Sequence, residues 1–346
     1  MKNKILATVL VVIILLTSGC GTDNYINDKN NKIVQYEQTG QNLQNNILCK
    51  PSEKSNLYKV YEKYNEELKI ELKKLPLCED FKINSNKSNG IWEFLFVKPL
   101  AFLILKLGKL VGNMGISLII VGILIRLLLL PFAFKTHKQS KDMQKVNNEI
   151  QKLEMKYRGR DDKDSMMMKS QEMMEIYKKH NVKPMSGCLI TFLQLPIFFA
   201  FLQAINRVPA IFEDKLLGFN LGMTPYTGLS NGNYLYLLLI ILIALSTYFS
   251  FKYSMKSNGV MNQSDDMKKQ MDMTTNIMVV MIVFTSFSLS TALAFYWIVT
   301  YAFIAIQTYI FKKLLNENKK NKNINKKNKI KNKLEVKRGL KYGNNK

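Results

Sequence analysis

The chain has 346 residues, with 50 Lys and Arg against 26 Asp and Glu, a net charge of +24 and 47% hydrophobic residues. Its mean hydropathy of −0.07 averages uncharged apolar blocks with long lysine- and asparagine-rich stretches, which describes a polytopic membrane protein with polar appendages. Two histidines and four cysteines without a C-x-x-C pair exclude a zinc framework, and no H-E-x-x-H, G-x-S-x-G or Walker A sequence occurs.

Residues 1–19 read as a secretory signal: Lys2 and Lys4, an apolar core over 5–16, then Thr17-Ser18-Gly19-Cys20. Small residues before a cysteine resemble a bacterial lipoprotein signal, which predicts cleavage and lipidation at Cys20, with an uncleaved anchor or ordinary signal as the alternatives. Residues 20–90 lie on the exported side. Over 21–54 they are rich in Asn, Gln and Lys without sustained periodicity, which predicts a solvated tether. A short surface helix is predicted over 55–75, ending before Pro76. Cys49 and Cys78 either pair there or remain two small unpaired residues. Residues 91–112 are largely apolar, contain Pro99, and place Lys98, Lys106 and Lys109 within an 80° arc of a helical wheel, with Phe102 and Leu105 intruding on it. This predicts an amphipathic helix lying in the outer interface.

The core, 113–315, begins with a span over about 114–134. Its apolar run 116–134 covers roughly 28 Å as a helix, close to a bilayer's hydrocarbon thickness. Arg126 stands in the middle of it. A charge there costs roughly 2.5–3.5 kcal/mol, so it faces water, a partner or a cavity unless it merely snorkels. Residues 135–183 are charged and helical on both sides of Arg158-Gly159-Arg160-Asp161-Asp162, which predicts a cytoplasmic helical hairpin with His137 and His180 as solvated ends. Its seven methionines either pack the hairpin or form an adaptable contact surface for nascent chains or a targeting factor, packing being the plainer reading.

Further spans are predicted at about 187–206 (with Gln194 and Pro196), 234–252, 274–289 and 291–312. The uncharged stretch 274–311 is 38 residues long, roughly 57 Å as one helix, so it folds into two near 286–290. Charge fixes the topology. Lys and Arg minus Asp and Glu give +5 for 135–183, 0 for 207–232 and +12 for 312–346, so the hairpin and tail are inside and 207–232 outside. Five spans result. The tail 316–346 is almost wholly Lys and Asn, which predicts disorder and salt-sensitive contact with anionic lipid or ribosomal RNA.

The fold class is therefore an all-α polytopic membrane protein: a five-helix bundle with an interfacial amphipathic helix and a cytoplasmic hairpin. That order resembles the YidC/Oxa/Alb family of membrane protein insertases in its short Gram-positive lipoprotein form. The local motifs agree: Asn113-Met114-Gly115-Ile116-Ser117 through Ile125-Arg126-Leu127 to Leu130-Pro131, Lys183-Pro184-Met185-Ser186-Gly187-Cys188-Leu189, Gln194-Leu195-Pro196-Ile197, Leu217-Gly218-Phe219-Asn220-Leu221-Gly222 and Tyr296-Trp297-Ile298-Val299. Where the family has proline after Gly-Cys-Leu this chain has Ile190. Its Pro-Ala/Ser-Gly turn appears as Ser290-Thr291-Ala292, and a glutamine of the third core helix as Ser250.

The resemblance implies a hydrophilic groove open to cytoplasm and lipid, with Arg126 attracting the polar exported segment of a substrate. Gln194 and Ser250 would offer hydrogen bonds, and Tyr296 and Trp297 would line the wall. It implies nascent membrane proteins and membrane lipids as partners, with the ribosome, a targeting factor and the Sec translocon as further ones, in the bacterial cytoplasmic membrane. It also implies a monomeric working unit, no cofactor, and no nucleotide hydrolysis. Enzymatic function is not expected, because the spans hold no Asp, Glu or His. A small-solute or anion channel or transporter is the alternative, although no inverted repeat supports it.

Overall fold

The computed structural model describes residues 24–86, 90–160, 162–182, 186–257 and 265–343. The signal peptide, Cys20 and the motif residues Lys183–Met185 lie outside the described residues.

Residues 24–86 form a small folded cap, where the sequence predicted a tether. Strands β1 (Gln35–Tyr36) and β2 (Gln41–Asn42) pair antiparallel, and α1 (Asn56–Lys63) starts on Ser55, whose hydroxyl accepts from Tyr58 N. Ile26, Leu43, Ile47, Leu57, Tyr61, Leu68, Leu72 and Leu75 build its own core. These residues have no common period because turns gather them, so the periodicity test saw a solvated segment. Cys49 and Cys78 form a disulfide, and both belong to the apolar cluster of the helical body beneath, together with Leu48 and Phe81.

A turn of π-helix (Glu93–Val97) leads into α2 (Lys98–Val111), which ends on Gly112 at φ +71°. The wheel placed three lysines on one solvated arc, but Lys98 is fully buried while Lys106 and Lys109 are exposed. The cap covers the first turn of α2, and a wheel drawn on one helix contains no cap.

Helix α3 (Met114–Leu128) follows after two residues, Gly112 and Asn113, and the Asn113 side chain accepts from Ile116 N. Met114 N also donates to Asp214 Oδ2 at 2.6 Å, placing a carboxylate at the helix's positive end. Helix α4 (Leu130–Lys156) continues at a 52° bend, because Pro131 has no N–H for the preceding turn. Helix α5 (Lys163–Lys179) returns along α4 and completes the hairpin. Val146, Ile150, Leu153 and Tyr157 are buried in it, and Lys156 and Tyr157 both bind Glu172. Met155, Met166, Met167, Met168 and Met174 stay exposed, so hairpin packing does not use them. His180 binds Glu149 at 2.7 Å. His137, expected to be solvated, is buried against Phe311 because α4 runs beside the last helix.

Helices α6 (Ser186–Asn206) and α7 (Pro209–Phe212) lead to a hairpin of β3 (Lys215–Leu216) and β4 (Phe219–Asn220). Leu217 and Gly218 turn it with φ of +52° and +84°. After α8 (Pro225–Ser230) come α9 (Leu235–Ser257), α10 (Asp265–Ser286) and α11 (Thr291–Gly343). The break between α10 and α11 falls where the 38-residue stretch was expected to fold. It is tied to the loop after β4: Thr291 N and Oγ1 donate to Met223 O, and Ala292 N to Leu221 O.

Among the described residues, two helices are individually long and apolar enough to cross a bilayer, Leu235–Met255 and Thr291–Glu317. The bent pair Met114–Leu128 and Leu130–Gln139 makes a third, and Gln194–Asn206 and Asp272–Ser286 are shorter apolar helices. The body is thus a helical membrane bundle in which α11 touches α3, α4, α6 and α9. Helix α11 also continues to Gly343 through the basic stretch predicted to be disordered. That prediction rested on the missing apolar face, which excludes packing but not propagation. A helix already nucleated by an apolar span extends at little cost per residue, and lysine is a good helix former.

Candidate functional site

Arg126 and Gln194, distant in sequence, meet between α3 and α6. Arg126 Nη2 donates to Gln194 Oε1 at 2.6 Å. Arg126 lies 12 residues beyond Met114, the first residue of α3, and Gln194 lies 12 residues before Asn206, the last of α6. Both therefore sit roughly 18 Å from the same end of the bundle.

No carboxylate pairs with Arg126 among the described residues; the titratable groups that act on it are the hydroxyls of Tyr296 and Tyr301. Arg126 is partly exposed, so it is not sealed in the core. With five N–H donors and one held by Gln194, it has capacity left for an incoming acceptor.

The wall behind this pair is aromatic. Tyr296 is buried, stacks on Phe201 at 4.2 Å between centroids and packs beside Gly122. Trp297 is buried and stacks on Phe198 at 5.7 Å. The structure thus brings together Arg126, Gln194 and Tyr296, with Trp297 on the adjoining face. Ser250 is buried in α9 and makes no hydrogen bond to them.

A second polar cluster escaped the sequence reading. Glu93, Lys98 and Arg207 are 6%, 0% and 6% exposed. Arg207 Nη1 donates to Glu93 Oε2 at 2.9 Å, its Nε to Asn46 O at 2.6 Å, and Lys98 Nζ stands 3.7 Å from Glu93 Oε1. Lys98 also donates to Asn86 O, and Leu48 N to Arg207 O. One carboxylate thus serves two cations where the cap, the start of α2 and the end of α6 converge. Burial lowers the Arg207 and Lys98 affinities for their protons, against the opposing pull of Glu93. In the sequence, Arg207 counted only as one charge of a neutral loop. The faint signal was a glutamate inside an otherwise apolar segment.

Comparison with known proteins shows the family. The chain matches the family described as 60Kd inner membrane protein over residues 106–320. It is 36% identical over 227 residues to a membrane protein insertase YidC of Oceanobacillus iheyensis, covering 65% of this chain and 85% of that one. It is 37% identical over 227 residues to the membrane protein insertase MisCA of Bacillus subtilis, covering 65% and 80%. The matched stretch contains Arg126, Gln194, Arg207, Tyr296 and Trp297, whereas Glu93, Lys98 and the cap precede it. With well over half of its length matched, this chain belongs to the 60Kd inner membrane protein family, the YidC/Oxa/Alb insertases.

Proposed function

We propose that this protein is a membrane protein insertase that guides apolar segments of newly made proteins into the bacterial cytoplasmic membrane along the Arg126 groove. The observation that carries this reading is the Arg126–Gln194 pair, a guanidinium with spare donors and no carboxylate partner among the described residues. Helices α3, α6, α9, α10 and α11 serve as five spans, with the hairpin and the α11 extension inside. The charge counts of +5, 0 and +12 along the loops and tail support that orientation. The cap then stands outside, lipid-anchored through Cys20, with α2 along the outer interface.

In this arrangement Arg126 binds the acidic or polar exported segment of a substrate through charge-assisted hydrogen bonds, and Gln194 holds its guanidinium in place. The apolar segment slides past the exposed Leu124, Leu127 and Leu128 of α3 into lipid. Partition of apolar surface, roughly 25 cal/mol per Å², drives the step. Arg126 and Gln194 lower its barrier by sparing the polar end from bare hydrocarbon. Nucleotide hydrolysis has no role in such a scheme. Nascent chains, membrane lipid, the ribosome at the basic extension, a targeting factor at the hairpin and the Sec translocon are the partners it calls for.

Proteoliposomes carrying the full-length protein test the reading. Arg126→Ala should lower insertion of a single-span substrate with an acidic exported segment about tenfold, the worth of one charge-assisted hydrogen bond of about 1.5 kcal/mol. A substrate with a neutral exported segment should insert almost normally. Equal insertion of both substrates by the variant would refute the groove-charge role. Ion flux without substrate would instead favour a channel.

A further inference from the structure

A cavity of about 200 Å³ opens between α9 and α10 near the ends of these helices that flank the basic hairpin side of the bundle. Tyr248, Lys252 and Met255 line one wall, and Asp272, Thr275 and Asn276 the other. Thr275 Oγ1 donates to Met255 Sδ at 3.0 Å, joining the two walls.

The charges stand on opposite walls. Lys252 Nζ donates to Tyr248 OH at 2.7 Å, which leaves two of its three N–H bonds and the phenol's own O–H for a further acceptor. Asp272 acts electrostatically on Lys252, yet it forms no ion pair or hydrogen bond among the described residues. Asn276 presents its amide at the exposed rim. A cation and a carboxylate that face each other across a gap without closing it suit a molecule bearing both signs.

The surroundings fix what kind of molecule. Lys252 lies over the Tyr248 ring and Lys312 over the Tyr253 ring, at 5.0 and 5.9 Å from their centroids. Tyrosines capped by lysines mark the headgroup level of a bilayer. Beyond the cavity the same face of α9 turns apolar, with Ile241, Leu245 and Phe249 exposed. These residues recur at four-residue spacing, so they form one stripe along α9.

We propose that this gap binds one zwitterionic aminophospholipid. Its phosphate accepts from Lys252 and Tyr248, its ammonium donates to Asp272 and the Asn276 carbonyl, and its acyl chains lie along the α9 stripe. An anionic glycerol headgroup satisfies Lys252 equally well but brings no cation to Asp272, which selects against it. The site rests on α9 and α10 standing in a bilayer and is independent of the Arg126 groove.

The full-length protein, reconstituted in vesicles of equal phosphatidylethanolamine and phosphatidylglycerol and released into mild detergent, tests this by native mass spectrometry. One retained phosphatidylethanolamine is expected, enriched about fivefold over phosphatidylglycerol, a ratio that one added charge-assisted contact readily supplies. Lys252→Ala should reduce retention of both lipids. Asp272→Asn, nearly isosteric, should bring the ratio to that of the vesicle while the melting temperature stays put. Asn276→Trp, at an exposed rim position, should fill the gap and expel both lipids without touching either charge. Retention by the wild type in the vesicle's own ratio, a preference for phosphatidylglycerol, or an Asp272→Asn protein with the wild-type preference would each overturn the proposal.

Discussion

Replacing Glu93 by Gln tests whether the buried cluster under the cap depends on one carboxylate shared by two cations. Arg207 and Lys98 lie 2.9 and 3.7 Å from its oxygens. At an effective dielectric of about 20 those separations correspond to roughly 6 and 4 kcal/mol of attraction before desolvation. Glu93→Gln leaves two buried cations facing neutral carbonyl oxygens with no counter-charge, and stranding buried charge in this way costs about 3–5 kcal/mol. Lys98→Met removes the excess cation and leaves the closer Arg207–Glu93 pair intact, so its cost should stay below about 1 kcal/mol. The assay is unfolding in mixed micelles followed by Trp92, whose Nε1 donates to Gln203 Oε1 at 3.2 Å beside the cluster. A Trp297→Phe background leaves Trp92 as the sole tryptophan of two. Equal losses from Glu93→Gln and Lys98→Met would refute the shared-carboxylate argument.

Three more outcomes follow from the same geometry. Burial holds the Lys98 pKa below 10.5, so between the lowered value and 10.5 the unfolded chain binds more protons than the folded one. Wild-type stability should therefore rise relative to Lys98→Met as the pH climbs through that window, as melting temperatures of the two proteins would record. Gly222→Ala puts a Cβ 2.8 Å from the Phe212 Cβ and 2.9 Å from its carbonyl oxygen, so it should destabilise the loop after β4 by about 1–3 kcal/mol in the same unfolding assay. Reducing Cys49–Cys78, 29 residues apart, frees a loop worth roughly 3–4 kcal/mol of chain entropy, and limited proteolysis should then cut the cap well before the helical body.

What the sequence determined by itself is the part of the protein governed by solvent. Uncharged runs of bilayer length, one intramembrane arginine and a strongly uneven lysine distribution announce a membrane bundle, because hydrocarbon penalises charge at every position separately. The break between α10 and α11 and the turn of the α4–α5 hairpin were legible for the same kind of local reason, a length limit in one and a glycine within a charged turn in the other. Tertiary structure decided whatever depends on residues far apart. Arg126 has a partner only because α6 brings Gln194 to its level. Lys98 left its helix's solvated arc, and His137 its expected exposure, because the cap and α11 cover them. The cap itself was invisible, since its core residues are brought together by turns and a disulfide and share no period. The tail's helix was missed because a segment without an apolar face still extends a helix begun elsewhere. The physical reason is common to all of these: propensity and hydropathy are sums over neighbours in sequence, whereas burial and pairing are set by neighbours in space.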